Sequence, residues 1–142
     1  MVTLIGGPPL TIRSGQDYSL TGVGWDRPDL VGSPYRMHSS RDDFINSFFT
    51  TAAFAANQPG RYGNFGRNVF NGAASAATNL SVVKSFPISE HLGKLQFRAE
   101  FFNLFNSVNF GQPVLLLNNR NFGRIQTAGD PRIVQFALRY AF

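Results

Sequence analysis

Arg132-Ile133-Val134-Gln135-Phe136-Ala137-Leu138-Arg139-Tyr140-Ala141-Phe142 ends the sequence, and its reading decides the fold. Successive side chains of a β-strand point to opposite faces. Val134, Phe136, Leu138, Tyr140 and Phe142 therefore share one face, and Ile133, Gln135, Ala137, Arg139 and Ala141 the other. A period of two over this length predicts a strand with one apolar and one more polar face.

Upstream, Lys94 to Phe105 repeats the pattern. Leu95, Phe97, Ala99 and Phe101 oppose Lys94, Gln96, Arg98 and Glu100, and the alternation fades after Phe101. Asn79 to Phe86 sets Leu80, Val82 and Phe86 against Asn79, Ser81 and Ser85, with Lys84 interrupting the apolar side and Val83 the polar one. The connection Pro87-Ile88-Ser89-Glu90-His91-Leu92-Gly93 is short and rich in turn formers, which predicts a hairpin and antiparallel neighbours. Val2 to Ile12 holds part of an earlier strand, weakened by Gly6-Gly7-Pro8-Pro9.

Ser14 to about Thr78 and Ser107 to Asp130 read mostly as loop, dense in Gly, Asn, Pro and Asp, at lengths rare in compact soluble domains. Within Ser40 to Ala56, Ser40 with Asp43 three residues on makes an N-cap pattern. Phe44, Ile45, Phe48 and Phe49 follow at helical spacing, which predicts a short helix. Asn-Phe-Gly recurs at Asn64-Phe65-Gly66, Asn109-Phe110-Gly111 and Asn121-Phe122-Gly123. The irregular spacing makes these loop punctuation, with Phe as the anchor, rather than a structural repeat.

Composition narrows the function. The 142 residues are 43% hydrophobic, enough for a modest core, with 15 Phe, 14 Gly and 8 Pro, a balance that leans towards β-structure. Net charge is +5, but Lys and Arg are scattered singly, without the stripe that a phosphate-tracking surface requires, so no nucleic-acid partner is expected. The absence of cysteine removes disulfides, thiolate zinc sites and Cys nucleophiles. No apolar run approaches the roughly 18 residues of a membrane helix. Met1 to Ile5 lacks the basic and apolar regions of a secretory signal.

His38 and His91 stand alone, His91 as a turn residue, and Asp26, Asp29, Asp42 and Asp43 form no calcium-loop pattern. Gly60, Gly63 and Gly66 are spaced for turns rather than phosphate, and no nucleophile elbow is present. Gly93 to Phe101 departs from the aromatic RNA-recognition pattern. No enzyme, metal site or cofactor is expected.

A strand of about ten residues at 3.3 Å each, tilted near 45°, rises roughly 23 to 24 Å, close to the apolar band of an outer-membrane barrel. The two best strands have this length. On this reading Gln96, Arg98, Glu100, Gln135 and Arg139 face the lumen. Leu95, Phe97, Ala99 and Phe101 face lipid, as do Val134, Phe136, Leu138, Tyr140 and Phe142. The reverse would put Arg98 and Glu100 into hydrocarbon, at about 2 to 4 kcal/mol for a midplane Arg. Phe101, Phe102 and Phe105 at one strand end, and Tyr140 and Phe142 at another, suit interfacial girdles. The long loops would be extracellular and the Pro87 to Gly93 turn periplasmic. The expected fold is all-β, an antiparallel transmembrane β-barrel segment of about four strands, incomplete as a barrel because about eight is the usual minimum. The same alternation also fits a soluble antiparallel β-module that binds a ligand through its Asn-Phe-Gly loops.

The alternating C-terminus ending in Phe142, with Tyr140 third from the end, resembles the signal read by the barrel assembly machinery. Lys94-Leu95-Gln96-Phe97-Arg98-Ala99-Glu100-Phe101-Phe102-Asn103-Leu104-Phe105-Asn106, Val108-Asn109-Phe110-Gly111, Asn121-Phe122-Gly123-Arg124-Ile125 and Ala128-Gly129-Asp130-Pro131-Arg132 resemble the end of a TonB-dependent outer-membrane receptor. The similar subgroup carries an N-terminal carboxypeptidase-regulatory-like domain. Leu20 to Gly24, Asp26 to Gly32 and Thr51 to Ala56 are similar to upstream loops of these receptors.

The resemblance implies uptake of a large or scarce solute across the bacterial cell outer membrane. Its implied partners are outer-membrane lipid and the barrel assembly machinery, which would read Val134, Phe136, Leu138, Tyr140 and Phe142. In a full-length parent, a plug domain and TonB would join them. Such barrels have about 22 strands around a plug. Residues 1–142 carry no recognisable plug, TonB-contact segment or signal peptide, so they are expected to be the C-terminal part of the barrel and a piece of a longer reading frame.

Overall fold

The computed structural model describes residues 1–89 and 93–142. Of the expected turn, Glu90, His91 and Leu92 lie outside the described residues. The elements run β1 (Val2–Ile5), β2 (Pro9–Leu10), β3 (Asp29–Leu30), α1 (Arg41–Asn46), a 3₁₀ turn (Thr51–Ala53), β4 (Phe54–Ala55), β5 (Phe70–Asn71), β6 (Ser75–Thr78), β7 (Leu80–Ser89), β8 (Gly93–Phe102) and β9 (Ile133–Ala141). These strands pair only antiparallel. They belong to two compact units: Met1–Ile5, Ala74–Asn109 and Gly129–Phe142 make the first, and Gly6–Ala73 with Phe110–Ala128 the second.

In the first unit β7, β8 and β9 form a three-stranded sheet in that order. The expected β7–β8 hairpin is present, but β7 runs on through Pro87 to Ser89, and its register with β8 shifts between Pro87 and Ser89. A proline lacks the amide proton of a regular ladder, so an irregularity there has a direct cause. Ser75 to Thr78, expected as the end of a loop, is instead strand β6 and pairs with β1. Only Asn79 separates β6 from β7. Its N–H donates to the Met1 carbonyl at 2.8 Å, and the Met1 ammonium donates to the Asn79 carbonyl at 2.7 Å. On the other side the Leu104 N–H donates to the Thr78 carbonyl at 2.8 Å, so this short stretch is bonded on both edges.

The end of β8 shows why its alternation fades. Asn103 takes a left-handed backbone conformation (φ 50°), which asparagine tolerates better than most residues, and the strand stops at Phe102. The Asn103 N–H donates to the Asn79 Oδ1 at 3.0 Å. Its Nδ2 donates to the carbonyls of Ser107 (2.9 Å) and Asp130 (3.2 Å), and its Oδ1 accepts from the Ser107 N–H at 2.9 Å. Asn106, also left-handed (φ 52°), accepts from the Arg132 N–H at 3.0 Å through its side chain. Two asparagines thus end one strand and hold the chain that enters the next.

The second unit is mostly loop, as expected, but it is a packed one. Its strands are only two residues long, yet it has a core of its own: Leu10, Ile12, Phe49, Ala53, Phe54, Phe65 and Phe70 are buried, with Phe48, Leu115, Leu117 and Phe122 packed against them. Phe49, 1% exposed, lies at the centre. It stacks on Phe70 (ring centroids 5.4 Å apart) and meets Phe54 and Phe122 edge-on at 5.5 and 5.0 Å.

The N-cap reading holds, because the Ser40 hydroxyl accepts from the Asp43 N–H at 3.1 Å. The helix ends at Asn46, however, so Phe48 and Phe49 do not extend it. Burial of Phe49 among the other rings outweighs one further turn of a six-residue helix, since isolated short helices are marginal.

All three Asn-Phe-Gly rings act as anchors. Phe65 is buried at 2% exposure, Phe122 packs on Phe49 and Phe54, and Phe110 packs on Phe44.

A buried polar cluster fixes the Ser14 to Arg27 segment. The Ser14 hydroxyl donates to the Asn57 Oδ1 at 2.8 Å, and the Asn57 Nδ2 donates to the Asp26 carboxylate at 3.3 Å and the Arg61 carbonyl at 2.7 Å. The Ser19 N–H and hydroxyl donate to Asp26 at 2.6 and 2.8 Å. Burial alone would raise the Asp26 pKa, but the Ser19 backbone and hydroxyl, Asn57 and the Tyr18 backbone together hold it below the ordinary value. Asp17 is likewise lowered against its desolvation, by the N–H groups of Thr21 and Gly22 and the Ser19 hydroxyl.

Candidate functional site: a two-faced sheet

Directly opposed residues of an antiparallel pair share a face, so register decides which side chains come together. Leu80, Phe101 and Val134 align across the sheet, as do Val82, Ala99 and Phe136, then Lys84, Phe97 and Leu138, then Phe86, Leu95 and Tyr140. One face therefore gathers every residue expected to be apolar-facing except Phe142, with Lys84 as its only charged member. The Lys84 ammonium lies 5.9 Å from the Phe86 ring centroid, so its charge sits against an aromatic face. Phe97 stacks on Phe136 at 6.0 Å, the diagonal contact that twisted strands allow.

The opposite face carries Ser81, Glu100 and Gln135 in one row, Val83, Arg98 and Ala137 in the next, then Ser85, Gln96 and Arg139, then Pro87, Lys94 and Ala141. Gln96 donates to the Ser85 hydroxyl at 3.4 Å. Arg98 lies 3.7 Å from Glu100 on its own strand. Lys94, Gln96, Arg139 and Ala141 line a small recess of about 100 Å³. With Lys94, Arg98 and Arg139 set against Glu100, this face carries a positive excess.

Burial separates the sheet from an ordinary half-buried one. Phe136 and Leu138 are each 68% exposed, and Leu80, Val82, Phe86, Phe97, Val134 and Tyr140 are exposed too, while Leu95 and Phe101 are half-buried and only the short Ala99 is buried. A contiguous apolar patch of this kind is uncommon on soluble monomers. The polar face is no core either, since Lys94, Arg98, Gln135 and Arg139 are exposed. Phe102 pairs with Ile133 on this polar side and Phe105 lies beyond the strand, so the expected girdle at that end is split between faces. Phe142, expected to end the apolar row, lies past β9 and tilts against Tyr140 at 5.8 Å.

The outer edges of β7 and β9 carry no partner strand among the described residues, and the sheet does not close. The protein is all-β and antiparallel, with a sheet that is apolar on one face, polar on the other and open at both edges. A family model for an outer membrane beta barrel domain matches residues 1–135, and the chain belongs to that family. Membership makes it an outer-membrane barrel protein and implies that location. The match ends before Phe136, Leu138, Tyr140 and Phe142. No match was found among curated proteins, and none among solved structures.

Sequence reasoning found the sheet because period-two alternation is a local signal. It missed β6, a short Ser-Ala-Ala-Thr strand without apolar contrast. It also missed the Phe core of the second unit, which is drawn from separate segments without a common period.

Proposed function

We propose that these strands are the C-terminal wall of a TonB-dependent transporter in the bacterial cell outer membrane, taking up a large or scarce solute. The observation that carries this is the register: three strands of nine or ten residues gather Leu80, Val82, Phe86, Leu95, Phe97, Phe101, Val134, Phe136, Leu138 and Tyr140 on one face and put their charges, apart from Lys84, on the other, where Val83, Phe102 and Ile133 are the large apolar exceptions. Facing lipid, the apolar side removes Phe97, Phe136 and Leu138 from water. Facing the lumen, Gln96, Arg98, Glu100, Gln135 and Arg139 stay hydrated. In soluble form the apolar face would stay in water, which burial energetics disfavour by about 25 cal/mol per Å².

The open edges of β7 and β9 support further strands, because unpaired backbone groups cost several kcal/mol each in hydrocarbon, roughly the loss of a hydrogen bond without replacement. Val134, Phe136, Leu138, Tyr140 and Phe142 act as the signal to the barrel assembly machinery. A plug domain and TonB are the further partners, the role is transport rather than catalysis, and no nucleic acid takes part. The resemblance of Lys94 to Arg132 to the ends of such receptors supports the TonB-dependent class.

Sequencing the genomic DNA directly upstream of the Met1 codon tests this. An in-frame continuation encoding more alternating strands and a plug is expected. A stop codon followed by a dedicated ribosome-binding site would contradict it.

A further inference from the structure

The second unit holds a cleft of about 310 Å³ lined by Trp25, Tyr62, Arg27, Arg67, Val23 and Thr21, among others. Trp25 is 61% exposed and Tyr62 is 73% exposed, so two broad rings stand in solvent at one site. Both are held in place. The Arg13 guanidinium lies 3.6 Å from the Trp25 ring centroid and does not line the cleft, so it braces the ring through one face. Behind the ring, the Asp26 carbonyl accepts from the buried Ser14 N–H at 2.7 Å, and the Asp26 carboxylate joins the polar cluster already described.

On the other wall, Gly63 packs so closely on the carbonyls of Arg27 and Pro28 that a side chain there would collide with both, which brings Tyr62 alongside. Asn64 and Asp29 lock the same junction: the Asn64 N–H donates to the Asp29 Oδ1 at 3.0 Å, and the Leu30 N–H donates to the Asn64 Oδ1 at 2.7 Å. A site held this way is ready to bind without reordering.

Tyr62 also lines a second recess of about 470 Å³, with Asp29, Gln58, Arg61 and Asn64. The two recesses share Tyr62, so the pair makes a two-part track with that ring as its common wall. Arg27, Arg61 and Arg67 all border it, and among the described residues none of these guanidinium groups has a carboxylate within ion-pair distance. The carboxylates that border the track are engaged: Asp26 accepts from Ser19 and Asn57, and Asp29 from the Asn64 amide. Arg27, Arg61 and Arg67 outnumber Asp26 and Asp29, so the lining carries a net positive charge, with flat apolar platforms and with Gln58, Asn64 and Asp29 as planar hydrogen-bonding groups.

We propose that this track binds an acidic oligosaccharide, a chain of sugar rings bearing carboxylate or sulfate groups. The C–H faces of the rings lie on Trp25 and Tyr62, the acidic groups meet the guanidinium forks of Arg67 and Arg61, and hydroxyls bond Gln58, Asn64 and Asp29. A single-stranded nucleic acid shares the need for stacking and positive charge. The Arg residues form no stripe along the chain of the kind a phosphate backbone follows, which disfavours it. The site lies within the second unit, so the inference goes beyond the transporter reading and does not depend on it.

Trp25 is the chain's single tryptophan, so its emission reports on this site alone. The full chain in detergent is titrated with trigalacturonate, with neutral galactotriose and with a short oligo(dT). A saturable change in emission with trigalacturonate, at least tenfold weaker with the other two, is the expected result. Arg67→Gln and Tyr62→Ala each weaken trigalacturonate binding about tenfold or more, the loss of one charge-assisted contact or one platform. Arg41→Gln, on α1 and outside the track, leaves it unchanged. Both track residues are exposed, so matching emission of the ligand-free variants confirms that they are folded. No saturable response to trigalacturonate, equal response to galactotriose, or tighter binding of oligo(dT) overturns the proposal. None of these results bears on the upstream sequence that tests the transporter reading.

Discussion

Replacing Phe136 with Arg and, separately, Gln135 with Arg moves the same charge by one residue along β9 and from one face to the other. Phe136 stands opposite Ala99 near the middle of the strand, 68% exposed, and Gln135 stands opposite Glu100. If the apolar face meets lipid, Arg at 136 costs about 2 to 4 kcal/mol for a charge near the midplane. Arg at 135 gains a cross-strand partner in Glu100, about 0.2 to 1 kcal/mol in its favour. The two variants then differ by at least about 2 kcal/mol, more than tenfold in the folded-to-unfolded ratio.

If both faces meet water, the mostly exposed Phe136 behaves as a surface position, where substitutions usually stay within about 0.5 kcal/mol. The gap then shrinks to roughly 1 kcal/mol or less, little beyond the Glu100 contact. The assay is the urea midpoint of the protein in lipid vesicles, followed by band shift on unheated gels, together with its level in outer-membrane fractions. Equal midpoints and equal levels for the two variants would refute the assignment of the faces.

Two further outcomes follow from the second unit. Phe49→Ala removes the centre of the ring cluster and destabilises this unit by about 3 to 5 kcal/mol, the usual range for a buried Phe, which hydrogen exchange of its amides would reveal. The depressed pKa of Asp26 stabilises the fold fully above the unfolded aspartate value of about 3.9, and this contribution is lost as pH falls through the lower folded value. Acid titration of Trp25 emission therefore shows loosening below that pH, and Asp26→Asn, already weakened at neutral pH, shows a flatter acid limb.

The sheet could be read from sequence because each strand carries its own signal. Val134 to Phe142 and Leu95 to Phe101 alternate without interruption, and the structure pairs Val134 to Tyr140 with Phe101 to Leu95 residue for residue. The Ser40–Asp43 cap could be read for the same reason, since its two residues are only three positions apart. Phe49 could not be placed, because its helical spacing from Phe44, Ile45 and Phe48 competes with partners such as Phe70 and Phe122 that are distant in sequence. The high Phe count was the one trace of that core, and it named no positions. The Trp25–Tyr62 track likewise depends on Gly63 closing on Arg27 and Pro28, an approach between segments that no local pattern encodes.

The chain contains no cysteine, so single cysteines can be placed without background. Spin labels at positions 134, 135, 136, 138 and 139 in outer-membrane vesicles would be exposed in turn to oxygen, which partitions into lipid, and to a water-soluble nickel complex. The account predicts that oxygen dominates at Val134, Phe136 and Leu138 and nickel at Gln135 and Arg139, a strict alternation along β9. Nickel access at all five positions, or no alternation, would contradict it.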